Sequence, residues 1–233
     1  MPGPADGAVA VVIPAYQAAA TIAAVVFRAQ RAAPAATVYV VDDGSRDGTG
    51  EAGRGAGATL LTHPRNLGKG AALATGIAAA LAQGAEAIVT LDADAQHPPE
   101  QIPRLATPVL QHGADLVLGA RARAGAMPFG RRCTNWLSAA LASRIGGVAV
   151  PDAQSGFRGL SRRVAEAIQP GERGYDYETS FLLAALAQGF VVGFVPVPTL
   201  YDGRPSHFRT WADSWRQARV FARYGRRIIF GAR

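Results

Sequence analysis

The sequence predicts an α/β domain built on a mostly parallel sheet with helices on both faces. Short β-branched runs alternate with alanine-rich stretches through the first half of the chain. Those stretches are long enough to be crossover helices, and no repeat or low-complexity linker divides them, which is the pattern of successive βαβ units.

The elements follow in order. Val9 to Ile13 is a continuous apolar run, as in a strand covered on both faces, and Ala18 to Ala32 reads as the helix after it. Thr37 to Val41 and Thr59 to Thr62 are the next two strands. Between them the glycines Gly53, Gly55 and Gly57 follow a helical stretch rather than a strand, so they are no dinucleotide fingerprint and read as a loop. The longest mostly apolar stretch, Ala71 to Leu91, is interrupted by Gln83-Gly84-Ala85-Glu86. A helix from about Gly70 to Gln83 and a strand from Ala87 to Leu91 account for it better than a membrane span. Pro98 to Gln111 is expected as a helix and Asp115 to Leu118 as a strand. The second half is less regular: a helix over Asn135 to Ile145, a loop from Gly146 to Ser155, a strand over Gly156 to Leu160, a helix over Ser180 to Gln188 and a strand over Val191 to Val197. Trp211 to about Ile229 has the pattern of an amphipathic helix, which divides the chain into a catalytic domain over 1–210 and a basic C-terminal helix over 211–233.

Composition narrows the function. The chain has 233 residues, 49% hydrophobic and 18% charged, enough for one well-packed domain. A single cysteine, Cys133, excludes an intrachain disulfide and a zinc site of several thiolates. The N-terminal residues lack the pattern of a signal peptide, so a cytoplasmic protein is expected, with a peripheral place at the inner face of the cytoplasmic membrane as a further reading. The formal charge of +7 favours anionic partners, and from Arg204 to Arg233 there are eight arginines against Asp213 alone.

Open α/β sheets bind ligands outside the carboxyl ends of their strands, and three such ends are notable here. The first strand ends in Pro14-Ala15-Tyr16, the second in Asp42-Asp43-Gly44-Ser45, the fourth in Asp92-Ala93-Asp94-Ala95-Gln96-His97. Asp92 and Asp94, two residues apart, can face one ligand, and their combined charge calls for a cation. Mg²⁺ or Mn²⁺ takes such oxygen donors and shares its shell with substrate phosphates, and Gln96 adds a neutral oxygen. The alternative is a solvated acidic turn before Pro98. Asp42-Asp43-Gly44-Ser45 reads equally as a turn and helix cap or as a carboxylate for a base or ribose. Asn66-Leu67-Gly68-Lys69-Gly70 fails as a Walker motif, with His63 in place of the first glycine, but Lys69 beside a helix N-terminus suits a diphosphate.

These segments, with Val11-Val12-Ile13 before the first and Ser155-Gly156-Phe157-Arg158 after the last, occur in the order seen in family 2 glycosyltransferases of the GT-A fold. Over about Val9 to Tyr201 the chain resembles the polyprenyl-phosphate (dolichol-phosphate) mannosyl and glucosyl synthases of that family. The resemblance implies that Pro14, Ala15 and Tyr16 line a nucleotide pocket, with Asp43 on the base. It also implies Lys69, Asp92 and Ala93 near the nucleotide-sugar's diphosphate or ribose, and a metal held by Asp92, Asp94 and Gln96. The donor would be a GDP- or UDP-linked sugar, transferred with inversion. One departure is Gln17-Ala18, where relatives making dolichol-phosphate mannose often have Asn-Glu. Processive synthases usually carry Gln-x-x-Arg-Trp, absent here, so a single addition is expected.

The acceptor divides the mechanism. A phosphate monoester is already ionised and needs only positioning, whereas a hydroxyl needs a base. Arg121, Arg123, Arg131 and Arg132 suit a lipid-phosphate acceptor by bidentate bonding, Arg121 and Arg132 foremost, or read as an ordinary solvated loop. Asp152 is the candidate base for a hydroxyl acceptor, or the residue that orders the acceptor loop. Tyr175-Asp176-Tyr177-Glu178 reads as an acidic helix start or as part of the site, and His207 to Trp211 as a lid. The C-terminal aromatics and arginines suit either a membrane surface or packing on the domain. A nucleotidyltransferase would need a glycine-rich basic loop after the first strand, which Pro14-Ala15-Tyr16-Gln17 is not. A nucleic-acid-binding protein would explain the charge but leave Asp92, Asp94 and Gln96 without purpose, so no nucleic acid is expected.

Overall fold

The computed structural model describes residues 9–121, 129–198 and 218–224. Strands β1 (Val9–Ala15), β2 (Thr37–Asp42), β3 (Thr59–Thr62), β4 (Ala87–Thr90), β5 (Leu116–Arg121), β6 (Arg158–Ser161) and β7 (Val192–Val197) form one sheet in the order β3-β2-β1-β4-β6-β5-β7. All neighbours are parallel except β6, which runs antiparallel to both β4 and β5.

The period of two along each strand divides the core between the two faces. Ala10, Val12, Tyr39, Val41, Ile88, Leu116 and Leu160 face α3 (Lys69–Ala82), α6 (Arg162–Ala167) and α7 (Asp176–Ala187). Val9, Val11, Ile13, Val38, Val40, Val89 and Val117 face α1 (Ile22–Ala32), α2 (Thr49–Gly55) and α4 (Ile102–Leu110). Gly76 lets α3 lie close on the sheet, since a Cβ there would overlap Val12 Cγ1.

Several boundaries depart from expectation for local reasons. β1 and β2 run to Ala15 and Asp42, nearer the site than their apolar cores alone indicated. Helix α1 begins at Ile22 rather than Ala18, because residues 17–19 are used in a turn. The amides of Gln17, Ala18 and Ala19 donate to Ser45 Oγ, Thr49 Oγ1 and Asp47 Oδ2 at 3.0, 2.8 and 3.0 Å. The glycine cluster expected as a loop lies partly in α2: a Cβ on Gly53 would come within 3.2 Å of Val40 Cγ1, so the small residue allows the helix to pack closely on β2. Helix α5 (Phe129–Gly146) starts six residues before Asn135. Short α6 was not expected at all, and Ser161 caps it by accepting from the Val164 amide at 3.2 Å.

Residues 218–224 are helical. Val220, Phe221 and Tyr224 join the core beside α7, while Arg223 points outward and pairs with Glu172 at 2.6 Å. The apolar face of this part of the C-terminal segment is therefore buried on the domain; its remainder lies outside the described residues. Among the described residues no helix is long and apolar enough to cross a membrane.

Candidate active site

Parallel β1, β2 and β4 deliver their C-terminal loops to one edge of the sheet. Because β6 is antiparallel to β4, it is the loop before β6 that reaches the same edge. Residues 152–157 thereby face the loop after β4, and Thr90 Oγ1 donates to Gly156 O at 2.7 Å to join them.

Beyond β4 the chain turns tightly. Thr21 Oγ1 donates to the Ala93 carbonyl at 2.7 Å, which ties the start of α1 to the turn. Asp94 Oδ1 accepts the Gln96 amide at 2.9 Å, and Ala95 takes φ +61°, a left-handed conformation uncommon outside glycine. Ala93 is buried, Asp92 and Gln96 are partly exposed, and Asp94 is exposed. Pro14 and Ala15 are buried at the end of β1, while Tyr16 is 41% exposed beside them.

Lys69, the only lysine in the sequence, opens α3. Its ammonium lies 2.6 Å from Asp92 Oδ1 and 2.8 Å from Glu178 Oε1, and over the Tyr175 ring at 5.4 Å. Burial opposes its charge, but the two carboxylates outweigh burial and hold the ammonium well above its ordinary pKa. Gly156 permits this convergence, since a Cβ there would be 2.7 Å from Asp92 Oδ2 and 2.8 Å from Glu178 Oε1. The α3 N-terminus is itself occupied: the amides of Gly70 and Ala71 donate to the Arg173 carbonyl at 2.8 and 3.4 Å. An anion here therefore meets the Lys69 side chain rather than the open helix end that the sequence had indicated.

Glu178 is the residue that the sequence left undecided and that the structure brings into the cluster. Residues 177–185 of α7 are all buried. A carboxylate in so apolar a helix requires a cation nearby, and that requirement was the available signal.

Asp43 is 2% exposed, and its carboxylate is turned toward the loop before α3. Oδ1 accepts the Leu67 amide at 2.8 Å and lies 2.7 Å from His63 Nδ1; Oδ2 accepts the Gly68 amide at 2.8 Å. His63 Nε2 in turn lies 3.0 Å from Thr75 Oγ1. Asp43 thus fixes the two residues that precede Lys69.

In the facing loop, Asp152 is 1% exposed and its Oδ1 accepts the Gln154 amide at 3.0 Å. Arg158, also buried, donates to the carbonyls of Ser155 at 2.7 Å, Glu178 at 2.6 Å and Ala153 at 3.2 Å. Burial lowers its pKa, with Glu178, Asp152 and Asp92 partly restoring it. Arg121 ends β5 and Arg131 and Arg132 lie in α5, but their side chains, like Arg123 and the segment from His207 to Trp211, fall outside the described part of the structure.

The donor set fits a hard divalent cation: Asp92, Asp94 and Gln96 offer oxygen atoms on one short turn, with Asp94 open to solvent. Among the described residues no three His, Cys, Asp or Glu side chains converge on a point. An ion held by one or two carboxylates and by substrate phosphates needs no such cage.

Comparison with solved structures shows the fold. The chain superposes on glucosyl-3-phosphoglycerate synthase from Mycobacterium tuberculosis, solved with Mn²⁺, UDP and glucosyl-3-phosphoglycerate, with a TM-score of 0.77. The alignment has 24% identity and covers 93% of this chain and 79% of that one, and the shared architecture is the GT-A glycosyltransferase fold. The family model for glycosyl transferase family 2 matches residues 10–169, and the chain belongs to that family. Among its relatives, the polyprenol monophosphomannose synthase of Mycolicibacterium smegmatis is 32% identical over 203 residues, 80% of this chain and 75% of the relative. The UDP-N-acetylglucosamine–dolichyl-phosphate N-acetylglucosaminyltransferase of Methanococcus voltae is 29% identical over 220 residues, 84% and 87% of the two chains.

Proposed function

We propose that this enzyme transfers a hexose, with inversion, from a GDP- or UDP-linked sugar to a polyprenyl phosphate. The observation that carries the donor half is the convergence of Asp92, Lys69 and Glu178 at the carboxyl edge of the sheet, two residues from exposed Asp94. Asp92, Asp94 and Gln96 would hold Mg²⁺ or Mn²⁺, which when bound would offset the charge that gathers on the departing diphosphate. Pro14, Ala15 and Tyr16 form the wall for the base, and Ala93 the floor of the turn. Asp43 acts by fixing the Lys69 loop, a role that its buried contacts support better than direct contact with the base.

In the reaction, a phosphate oxygen of the acceptor attacks the anomeric carbon from the side opposite the nucleotide. The bond to the diphosphate breaks with its electron pair left on the diphosphate oxygen, and Lys69 is placed to meet that charge. An ionised phosphate carries no proton that must be removed, so no general base is required. Asp152 is then the residue that orders the acceptor loop, in keeping with its burial and its bond to Gln154. Arg121 and Arg132 are the proposed phosphate contacts. The names of the two relatives support a polyprenyl-phosphate acceptor. The C-terminal segment would hold the protein at the inner face of the cytoplasmic membrane through its basic residues, since Val220, Phe221 and Tyr224 are packed on the domain.

Acceptor preference is directly measurable. With Mn²⁺ and a panel of GDP- and UDP-sugars, undecaprenyl phosphate in detergent should yield a labelled lipid, and undecaprenol should not. Transfer to a soluble alcohol, with none to the lipid phosphate from any donor, would reverse the assignment and return Asp152 to the role of base.

A further inference from the structure

Lys69 is shared between two carboxylates of different exposure. Asp92 belongs to the turn that meets solvent, whereas the Glu178 side chain is 6% exposed and set in a helix whose buried face is continuous with the core. Glu178 is also held from behind, because its backbone carbonyl accepts Arg158 Nη1 at 2.6 Å. One partner of the ammonium therefore lies on a solvent-facing turn and the other on a buried helix. Within the described contacts, Tyr175 lies across the ammonium and Gly156 closes the space between the carboxylates.

We propose that Glu178 is a positioning residue that retains the Lys69 ammonium when a divalent cation takes up Asp92. This rests on the reading of Asp92 and Asp94 as cation ligands. A cation arriving at Asp92 competes with Lys69 for the same carboxylate, since like charges 3 to 4 Å apart in a partly buried site repel strongly. Without a second anchor, Lys69 would either exclude the cation or swing out of the site. Glu178 provides that anchor at 2.8 Å, so the ammonium stays beside the diphosphate position while Asp92 changes partner. Across the three groups and Asp94 the formal charge is three negative and one positive, a net of −2 that one divalent cation neutralises.

The single lysine gives a clean readout. Labelling with an amine-selective reagent, followed by peptide mapping to separate Lys69 from the N-terminus, reports whether the ammonium is held. In the wild-type protein Lys69 should label slowly both with and without Mn²⁺. In Glu178→Gln it should label slowly without Mn²⁺ and at least fivefold faster with it, because the cation then displaces it from Asp92. In Asp92→Asn it should remain slow under both conditions, held by Glu178. A role for Glu178 in folding alone would raise labelling equally with and without Mn²⁺, and that result overturns the proposal. Should Glu178→Gln fail to fold, free-amine labelling of Asp92→Asn overturns it instead. Calorimetry with Mn²⁺ on the wild-type protein and on Glu178→Gln, in the same nucleotide-free buffer as the labelling, separates the two levels. Absence of cation binding there removes the functional reading and this inference together; binding with Mn²⁺-independent labelling of Glu178→Gln removes the inference alone.

Discussion

Replacing Asp94 by alanine should lower metal-dependent sugar transfer by about a thousandfold while leaving the fold intact. The size follows from losing an electrostatic contact to charge that develops in the transition state, worth roughly 3–4 kcal/mol in a site of this kind. The small effect on stability follows from position: Asp94 is exposed, and its bond to the Gln96 amide closes a local turn rather than a buried network. Substitutions at such places usually change stability by less than about 1 kcal/mol. Initial rates at saturating donor, beside a urea denaturation curve, measure both halves. Full activity in the variant would remove Asp94 from the chemistry.

The second large effect concerns Arg158. Its guanidinium satisfies three carbonyls, of Ala153, Ser155 and Glu178, in a place where water does not reach it freely. Truncation to alanine leaves those acceptors unmet at a cost of about 1–3 kcal/mol each, partly relieved if water enters the gap. It also removes the guanidinium charge near Asp152 and Glu178, of which Glu178 keeps Lys69 at 2.8 Å. We expect a loss of about 4 kcal/mol, a large fraction of the roughly 5–15 kcal/mol by which domains are stable. Arg158→Lys should recover little, because one ammonium cannot reproduce a planar fork directed at three oxygens. Urea midpoints for the two variants test this, and a loss below about 1 kcal/mol would contradict it.

Arg158 also marks where sequence legibility ends. The parallel half of the sheet was readable chiefly because its central strands are buried on both faces: Val9–Ile13 and Ala87–Leu91 are visible as runs without knowledge of their partners. Periodicity carries no sign of direction, so the antiparallel course of β6 was not visible. That reversal is what brings residues 152–157 to the carboxyl edge. Helix α6 is too short for a period to register, and the end of α2 was hidden by its glycines, of which Gly53 serves close packing on Val40.

The site was legible in the same uneven way. Asp92, Asp94 and Gln96 could be grouped because one turn holds them. The partnership of Lys69 with Glu178 joins positions 109 residues apart, and only the packing of α7 on α3 creates it. Asp43 shows the converse: its place at a strand end was evident, but the choice between a ligand contact and an internal brace depends on which amides face it. The bonds to Leu67 and Gly68 favour the brace.

The proposed function requires this edge of the sheet to bind a nucleoside diphosphate together with a divalent cation. Thermal denaturation of the wild-type protein with UDP or GDP, each in Mn²⁺ or in EDTA, tests it most directly. A ligand that binds only the folded state at about a hundred times its Kd adds roughly 2.7 kcal/mol of stability. Tm should rise clearly with one of the two nucleotides in Mn²⁺, and little or not at all in EDTA or in Asp94→Ala. An unchanged Tm with both nucleotides in Mn²⁺, or an equal rise in EDTA, would contradict it.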